Sequence, residues 1–162
     1  MDDALLVVDF LNTVDLDEGT DVLNRTETWR QWTTERDLHA DPLPVTRTAR
    51  AALRAAIGDP DVTAEPLRAP LHVELAHGRP ALVARSAVGA VLAAAARLAV
   101  LGEWERLKIC PADHCRWAFY DRSRNRSRTW CSMRACGNRE KARNWRRRAT
   151  SLDRVTHNPA CG

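Results

Sequence analysis

No apolar run in the 162-residue sequence reaches the roughly 18 uninterrupted residues that a membrane span needs. The nearest, AVGAVLAAAARLAVL at 87–101, is mostly alanine and is broken by Arg97. The opening MDDALLVVDF begins with acids and lacks the basic segment of a secretory leader, so a cytoplasmic protein without a membrane partner is expected. Lysine is nearly absent: of 25 basic residues only Lys108 and Lys141 are not arginine. Guanidinium forks suit phosphates and guanine edges. GC-rich coding leaves the same composition, however, so the placement of the arginines says more than their number. There is no internal repeat, no glycine-rich phosphate loop and no nucleophile motif. His39, His72 and His77 have no partner spacing, and Asp113, His114 and Asp121 form no recognisable catalytic cluster. These absences argue against an enzyme.

What is present divides unevenly. Residues 1–105 carry 10 basic and 17 acidic side chains, a balance of −7; residues 106–162 carry 15 and 4, a balance of +11. An acidic body with a basic, polyanion-seeking arm is the implied plan. The length and a 44% hydrophobic content leave room for one real core and a small satellite module.

Along the acidic part, ALLVVDFLNTV (4–14) mixes helical and extended signals; read as a helix, it gathers Asp9, Asn12 and Thr13 on one side. NRTETWRQWTTERDL (24–38) opens with Asn24 and has Glu27 three residues on, a capping-box pattern, with Trp29 and Trp32 one turn apart. PVTRTARAALRAAIG (44–58) predicts a helix with Pro44 in its first turn, an apolar face of Ala49, Leu53, Ala56 and Ile57, and Gly58 as its stop. Residues 59–70 hold three prolines and read as a surface connection. LHVEL and ALVAR, joined through AHGRP, predict a hairpin, followed by an alanine-rich helix that Ser86 caps and Gly102 ends.

The basic part contains two cysteine pairs, Cys110/Cys115 and Cys131/Cys136, each separated by four residues, with fifteen between the pairs. Such spacing marks a zinc site: each pair turns two thiolates toward one spot, and four close a tetrahedral shell. Four sulfurs leave no open position, so one structural zinc ion is expected. A cytoplasmic setting disfavours disulfides, and unrelated buried cysteines do not explain the symmetry. Cys161 belongs to neither pair, and it and His157 are expected in an exposed tail. RLKIC and CRWAFYD flank the first pair with strand-like residues. NREKARNWRRRATSL after the second pair reads as a helix with an inward face of Ala142, Trp145, Ala149 and Leu152 and an arginine face of Arg139, Arg143, Arg146 and Arg147. A hairpin knuckle followed by a helix starting at the last cysteines is treble-clef geometry.

CPADHCRWAFYDRSRNRSRTWCSMRACGNREKAR (110–143) resembles the CGNR zinc-finger family, whose name-giving tetrapeptide stands here as Cys136, Gly137, Asn138 and Arg139. VVDFLNTV near the start and RPALVARSAVGAVL at 79–92 resemble the ABATE domain that usually precedes this finger. The resemblance implies a bacterial, stress-related transcription regulator. It would be an α+β protein with a mostly helical N-terminal domain and short β-hairpin over 1–105, a treble-clef finger over 106–152 and a tail over 153–162.

Arg122, Arg124, Arg126 and Arg128 alternate; on extended backbone they would share one side and form a ridge. A polyanion that neutralises them gains by counterion release, although pairing with the acidic body is the plainer alternative. Double-stranded DNA is the expected partner, with Asn138, Arg139 and Arg143 as candidate base readers. Lys141, Arg146, Arg147 and the ridge would serve the phosphates. RNA is the alternative, gripped by the arginines and stacked on Trp117, Phe119, Tyr120 and Trp130; packing around the zinc is the plainer role of those rings. Asp9, Asn12 and Thr13 are candidates for a ligand site, for an effector or for small-molecule enzyme chemistry, against a plainer capping role. A homodimer would suit symmetric half-sites.

Overall fold

The computed structural model describes residues 2–155. The ambiguous N-terminal stretch is a helix, α1 (Asp3–Leu11), started by the Asp2 carboxylate, which accepts the Ala4 N–H at 2.9 Å. It turns Val7, Phe10 and Leu11 inward and lies along α4 (Ala87–Val100). Two short antiparallel strands, β1 (Val14–Asp15) and β2 (Thr20–Asp21), lead into a 3-10 turn, Val22–Asn24, and then α2 (Thr26–Thr34).

The expected capping box does not form. Asn24 ends the 3-10 turn, Arg25 takes the cap position with no side-chain bond, and Asp21 caps the turn by accepting the Leu23 N–H at 2.8 Å. The earlier carboxylate reaches the turn's free N–H first and fixes Asn24 inside it. At the other end α2 stops at Thr34, short of Leu38, and Asp37 adopts a left-handed φ of 54°. The paired tryptophans behave as their spacing predicts. Trp29 and Trp32 stack at 5.1 Å and meet Phe10 at 6.2 and 6.1 Å, the largest aromatic cluster of the core.

α3 (Leu43–Ala56) carries Pro44 in its first turn and buries Ala49 and Leu53. Ala56, expected on the apolar face, is exposed. Its place inward is taken by Arg54, which is 5% exposed because Asp59 neutralises it at 2.7 Å. β3 (His72–Ala76) and β4 (Arg79–Val83) form an antiparallel hairpin as expected, but with a tighter turn: Ala76, Arg79 and Pro80 of the expected AHGRP connection are paired in the strands, and β4 stops at Val83. Ser86 caps α4 through the Gly89 N–H at 3.2 Å.

The basic part begins with a second hairpin, β5 (Leu107–Ile109) against β6 (Ala118–Tyr120). Leu107 and Ala118 belong to the same buried cluster as Phe10, Leu11, Trp29 and Val91, so this hairpin is seated on the helical body. The Asn12 amide completes the seat: it donates to the Ala118 carbonyl at 2.9 Å and accepts the Ala118 N–H at 2.8 Å, mimicking a strand partner. One turn of π-helix, Met133–Gly137, runs into α5 (Asn138–Val155). The predicted inward face of α5 is not inward where it is described: Ala142 is exposed and Trp145 is 72% exposed. The apolar spacing is real, but the described side chains of this stripe meet no core. The side chains of Ala149 and Leu152, together with Cys161 and His157, lie outside the described residues. The described residues form an α+β arrangement of helices with three two-stranded antiparallel sheets. No described helix is long and apolar enough to cross a membrane.

Candidate metal centre and basic surface

Cys110 follows β5 and Cys115 precedes β6, joined by a tight knuckle in which the Cys115 N–H donates to the Ala112 carbonyl at 2.9 Å. Arg116 closes the knuckle in the left-handed region, at φ 48°. Cys131 and Cys136 come from the approach to α5, with Cys136 inside the π turn. All four Sγ atoms lie within 4.8 Å of one another, and Cys131 is 3.6 Å from both Cys115 and Cys136. Those separations are far above a disulfide bond and match the roughly 3.8 Å edge of a tetrahedron with 2.3 Å Zn–S bonds.

The donor chemistry fits a dication equally well. Burial would raise the Cys110 thiol, yet the N–H groups of Cys131 and Ala112 and the neighbouring thiols hold it below its ordinary value. Burial and the adjacent Cys115 thiol push Cys136 up to about 12 and Cys131 higher still, with the Cys110 charge adding to the rise. Thiolates this close repel one another, and a bound dication removes that opposition. Cys110, Cys115, Cys131 and Cys136 fit one structural zinc ion. Gly137 matters for space: a Cβ there would stand 2.8 Å from Met133 Sδ and 3.3 Å from Trp130 Cδ1.

The arginine-rich stretch is not an extended ridge. Residues 123–126 turn, with Arg126 at φ 51°, so the four guanidiniums take different roles. The organiser is Asp121, fully buried, which accepts from the Ser123 and Arg128 N–H groups at 2.9 Å each and from Lys108 Nζ at 2.7 Å. Lys108 also donates to the Arg126 and Arg128 carbonyls at 2.5 and 3.0 Å. Burial alone would raise the Asp121 carboxyl, but the Lys108 ammonium and the loop N–H groups hold it well below the carboxylate range. Arg126 pairs with Glu105 at 2.9 Å, and Arg128 lies 5.0 Å over the Phe119 ring while donating to the Trp130 and Cys131 carbonyls. Arg122 and Arg124 are left outward: Arg122 is 77% exposed with Asp2 only at 3.9 Å, and Arg124 has no partner among the described residues.

At the start of α5, Arg139 lies 3.3 Å from the His114 ring and 3.9 Å from Asp17, while Arg143 pairs with Glu140 at 2.7 Å. Lys141, Arg146 and Arg147 are exposed on the same helix, and Arg146 donates to the Ala142 carbonyl at 3.3 Å. The aromatic residues near the metal are largely packed: Phe119 is buried, Trp117 and Trp130 lie against the cysteine cluster, and the Tyr120 hydroxyl donates to Glu103.

Asp9, Asn12 and Thr13 do not converge on a shared cleft. Asp9 pairs with Arg36 at 3.2 Å, Asn12 holds Ala118, and buried Thr13 donates to the Phe10 carbonyl and accepts from Arg50. An ionic strap that no motif in the sequence marks fastens the knuckle to the body. Arg54 bridges Asp59, the Leu11 carbonyl and the Arg116 carbonyl at 2.7–2.9 Å, while Arg116 binds Asp61 at 2.6 Å and Asp113 at 2.9 Å. The connection holding Asp59 and Asp61 is therefore a clamp at its start. The signals that were available are the rarity of lysine, which singles out Lys108, and the Asp121-x-Ser123 spacing of an Asx turn.

Residues 106–149 match the family model of the CGNR zinc finger. No curated protein and no solved structure matches the chain.

Proposed function

We propose that the protein is a zinc-dependent, double-stranded-DNA-binding transcription regulator. In this reading a treble-clef finger binds the duplex, and the acidic ABATE-like body senses an effector or mediates assembly. The observation that carries it is the way one metal centre organises two basic surfaces. The Cys131–Cys136 segment fixes the start of α5, and Arg128, bonded to the Cys131 carbonyl, ties the arginine loop to the same centre. Arg122 and Arg124 are exposed to solvent, and Arg139, Lys141 and Arg143 rise from the first turns of α5.

Asn138, Arg139 and Arg143 at the helix start are the base readers of this reading, since the first turns of a groove-bound helix reach deepest. Arg122, Arg124, Lys141, Arg146 and Arg147 serve phosphates. Arg126 and Arg128 shape the loop. The packing of Phe119, Trp117 and Trp130 favours duplex over unpaired RNA, which needs open rings for stacking. Four sulfurs make the zinc structural, and catalysis forms no part of the reading.

The test is titration of zinc-loaded protein into a labelled mixed-sequence duplex and into single-stranded RNA. The same chain with Cys131→Ser and Cys136→Ser serves as the control. The expected result is duplex binding that exceeds RNA binding and collapses in the control. Absence of duplex binding at low salt with zinc bound, or a preference for RNA, defeats it.

A further inference from the structure

The β3–β4 hairpin has one guarded edge and one open edge. Its two-residue loop has left-handed φ at both positions, 53° at His77 and 73° at Gly78, a type I′ turn closed by the hydrogen-bonded pair Ala76↔Arg79. Antiparallel pairing alternates from there. Leu75↔Pro80 and Val73↔Leu82 are therefore the wide pairs, whose backbone N–H and C=O groups point away from the partner strand. On β4 this puts Pro80, which has no N–H, at the outer edge, a device that blocks further pairing. On β3 nothing comparable stands guard.

Val73 and Leu75 are 63% and 83% exposed, and His72 and Glu74 are exposed beside them. Among the described residues no third strand joins this sheet, and no backbone bond from outside the hairpin reaches Val73 or Leu75. The edge sequence Leu71-His72-Val73-Glu74-Leu75 is a palindrome in character, apolar at the odd positions with a base and an acid on either side of Val73. Set antiparallel to itself about Val73, it places His72 opposite Glu74 twice and Leu71 opposite Leu75 twice. It also brings the outward N–H and C=O groups of Val73 into a hydrogen-bonded pair on the twofold axis. A register centred on Glu74 would oppose two carboxylates and is disfavoured.

We propose that β3 is the dimerisation edge of this protein, and that it pairs antiparallel with β3 of a second copy about Val73 to give a continuous four-stranded sheet. The occupant is a second copy because the pattern of base and acid along the edge complements itself and because symmetric contacts come in pairs under a twofold. The inference stands apart from DNA binding, since it rests on no residue of the zinc module.

Sedimentation equilibrium of the zinc-loaded full chain without DNA tests it. The expected mass is about twice the 18.2 kDa chain. Glu74→Lys, which opposes a cation to His72 at both symmetric positions, is expected to raise the dimer dissociation constant by roughly tenfold or more. Val73→Pro removes an outward N–H without touching the bond to β4, and it should give monomer. The double exchange His72→Glu with Glu74→Lys restores complementarity and should restore the dimer, which separates register from misfolding. A wild-type monomer at hundreds of micromolar, or a dimer indifferent to both Val73→Pro and Glu74→Lys, overturns the proposal and leaves the duplex titration unaffected.

Discussion

The helical body and the cysteine-bearing module solve the same problem with different materials. The body buries Phe10, Leu11, Leu23, Trp29 and Val91 completely, and the Arg50–Asp21 ion pair, at 2.6 Å, sits at the margin of that apolar core. The module buries few large apolar side chains beyond Phe119. Four sulfurs, the Asp121–Lys108 hub and the Arg54–Arg116 strap do the fastening instead. A region with many charged and few large apolar side chains has little apolar surface to bury, so a metal and buried ionic bonds replace the core.

The comparison breaks most sharply on metal removal. Chelation at neutral pH should unfold the module, since structural zinc contributes on the order of 10 kcal/mol to small zinc domains. Far-UV circular dichroism should retain the signal of α1 to α4, and limited proteolysis should cut between residues 121 and 137. Loss of the body with the metal would show that the two regions are one cooperative unit.

The mirror experiment, Phe10→Ala, should cost about 3–5 kcal/mol in urea denaturation through the cavity beside Trp29 and Trp32. Below that in severity comes Arg54→Met, which leaves Asp59 as a buried, unpaired carboxylate and the Arg116 carbonyl without its donor. A loss of about 3 kcal/mol is expected, with faster proteolysis at residues 59–62.

Acid should separate the hub from ordinary carboxylates. The Asp121 pKa is depressed in the fold, so its stabilisation is fully present above the unfolded value of about 3.9 and is lost only as pH falls below it toward the depressed value. NMR titration of the Asp121 carboxyl, with the metal retained, should show no protonation down to pH 4. Smallest of all for stability is Arg124→Ala. It should leave the melting temperature unchanged and lower the salt slope of duplex binding by about one.

Much of the fold was legible because periodicity reports burial directly. The Trp29/Trp32 spacing, the Pro44 start and the Ser86 cap appear where the pattern predicts; the hairpin forms too, but its strands run through Ala76 and Arg79 into a two-residue turn in place of the five-residue AHGRP connection. The cysteine spacing likewise named its four ligands. What failed to show was anything decided by competition between distant groups. Asp21 displaced Asn24 as the cap, Arg54 displaced Ala56 inside α3, and Asp121 bent the arginine run into a turn. Each depends on a partner's position in space, which a linear pattern does not encode. Trp145 teaches the converse: a residue on a correctly spaced apolar stripe is still exposed where no described surface faces it.

The salt dependence of duplex binding, measured on the zinc-loaded protein and on the same sample after chelation and after zinc is restored, bears most directly on the central claim. A metal-organised surface making about five to seven phosphate contacts predicts a slope of about −4.5 to −6.3 in log K against log salt, lost on chelation and regained with zinc. Equal affinity and slope in the chelated protein would contradict the account, since the arginines would then act as an unstructured basic segment that needs no metal to hold it.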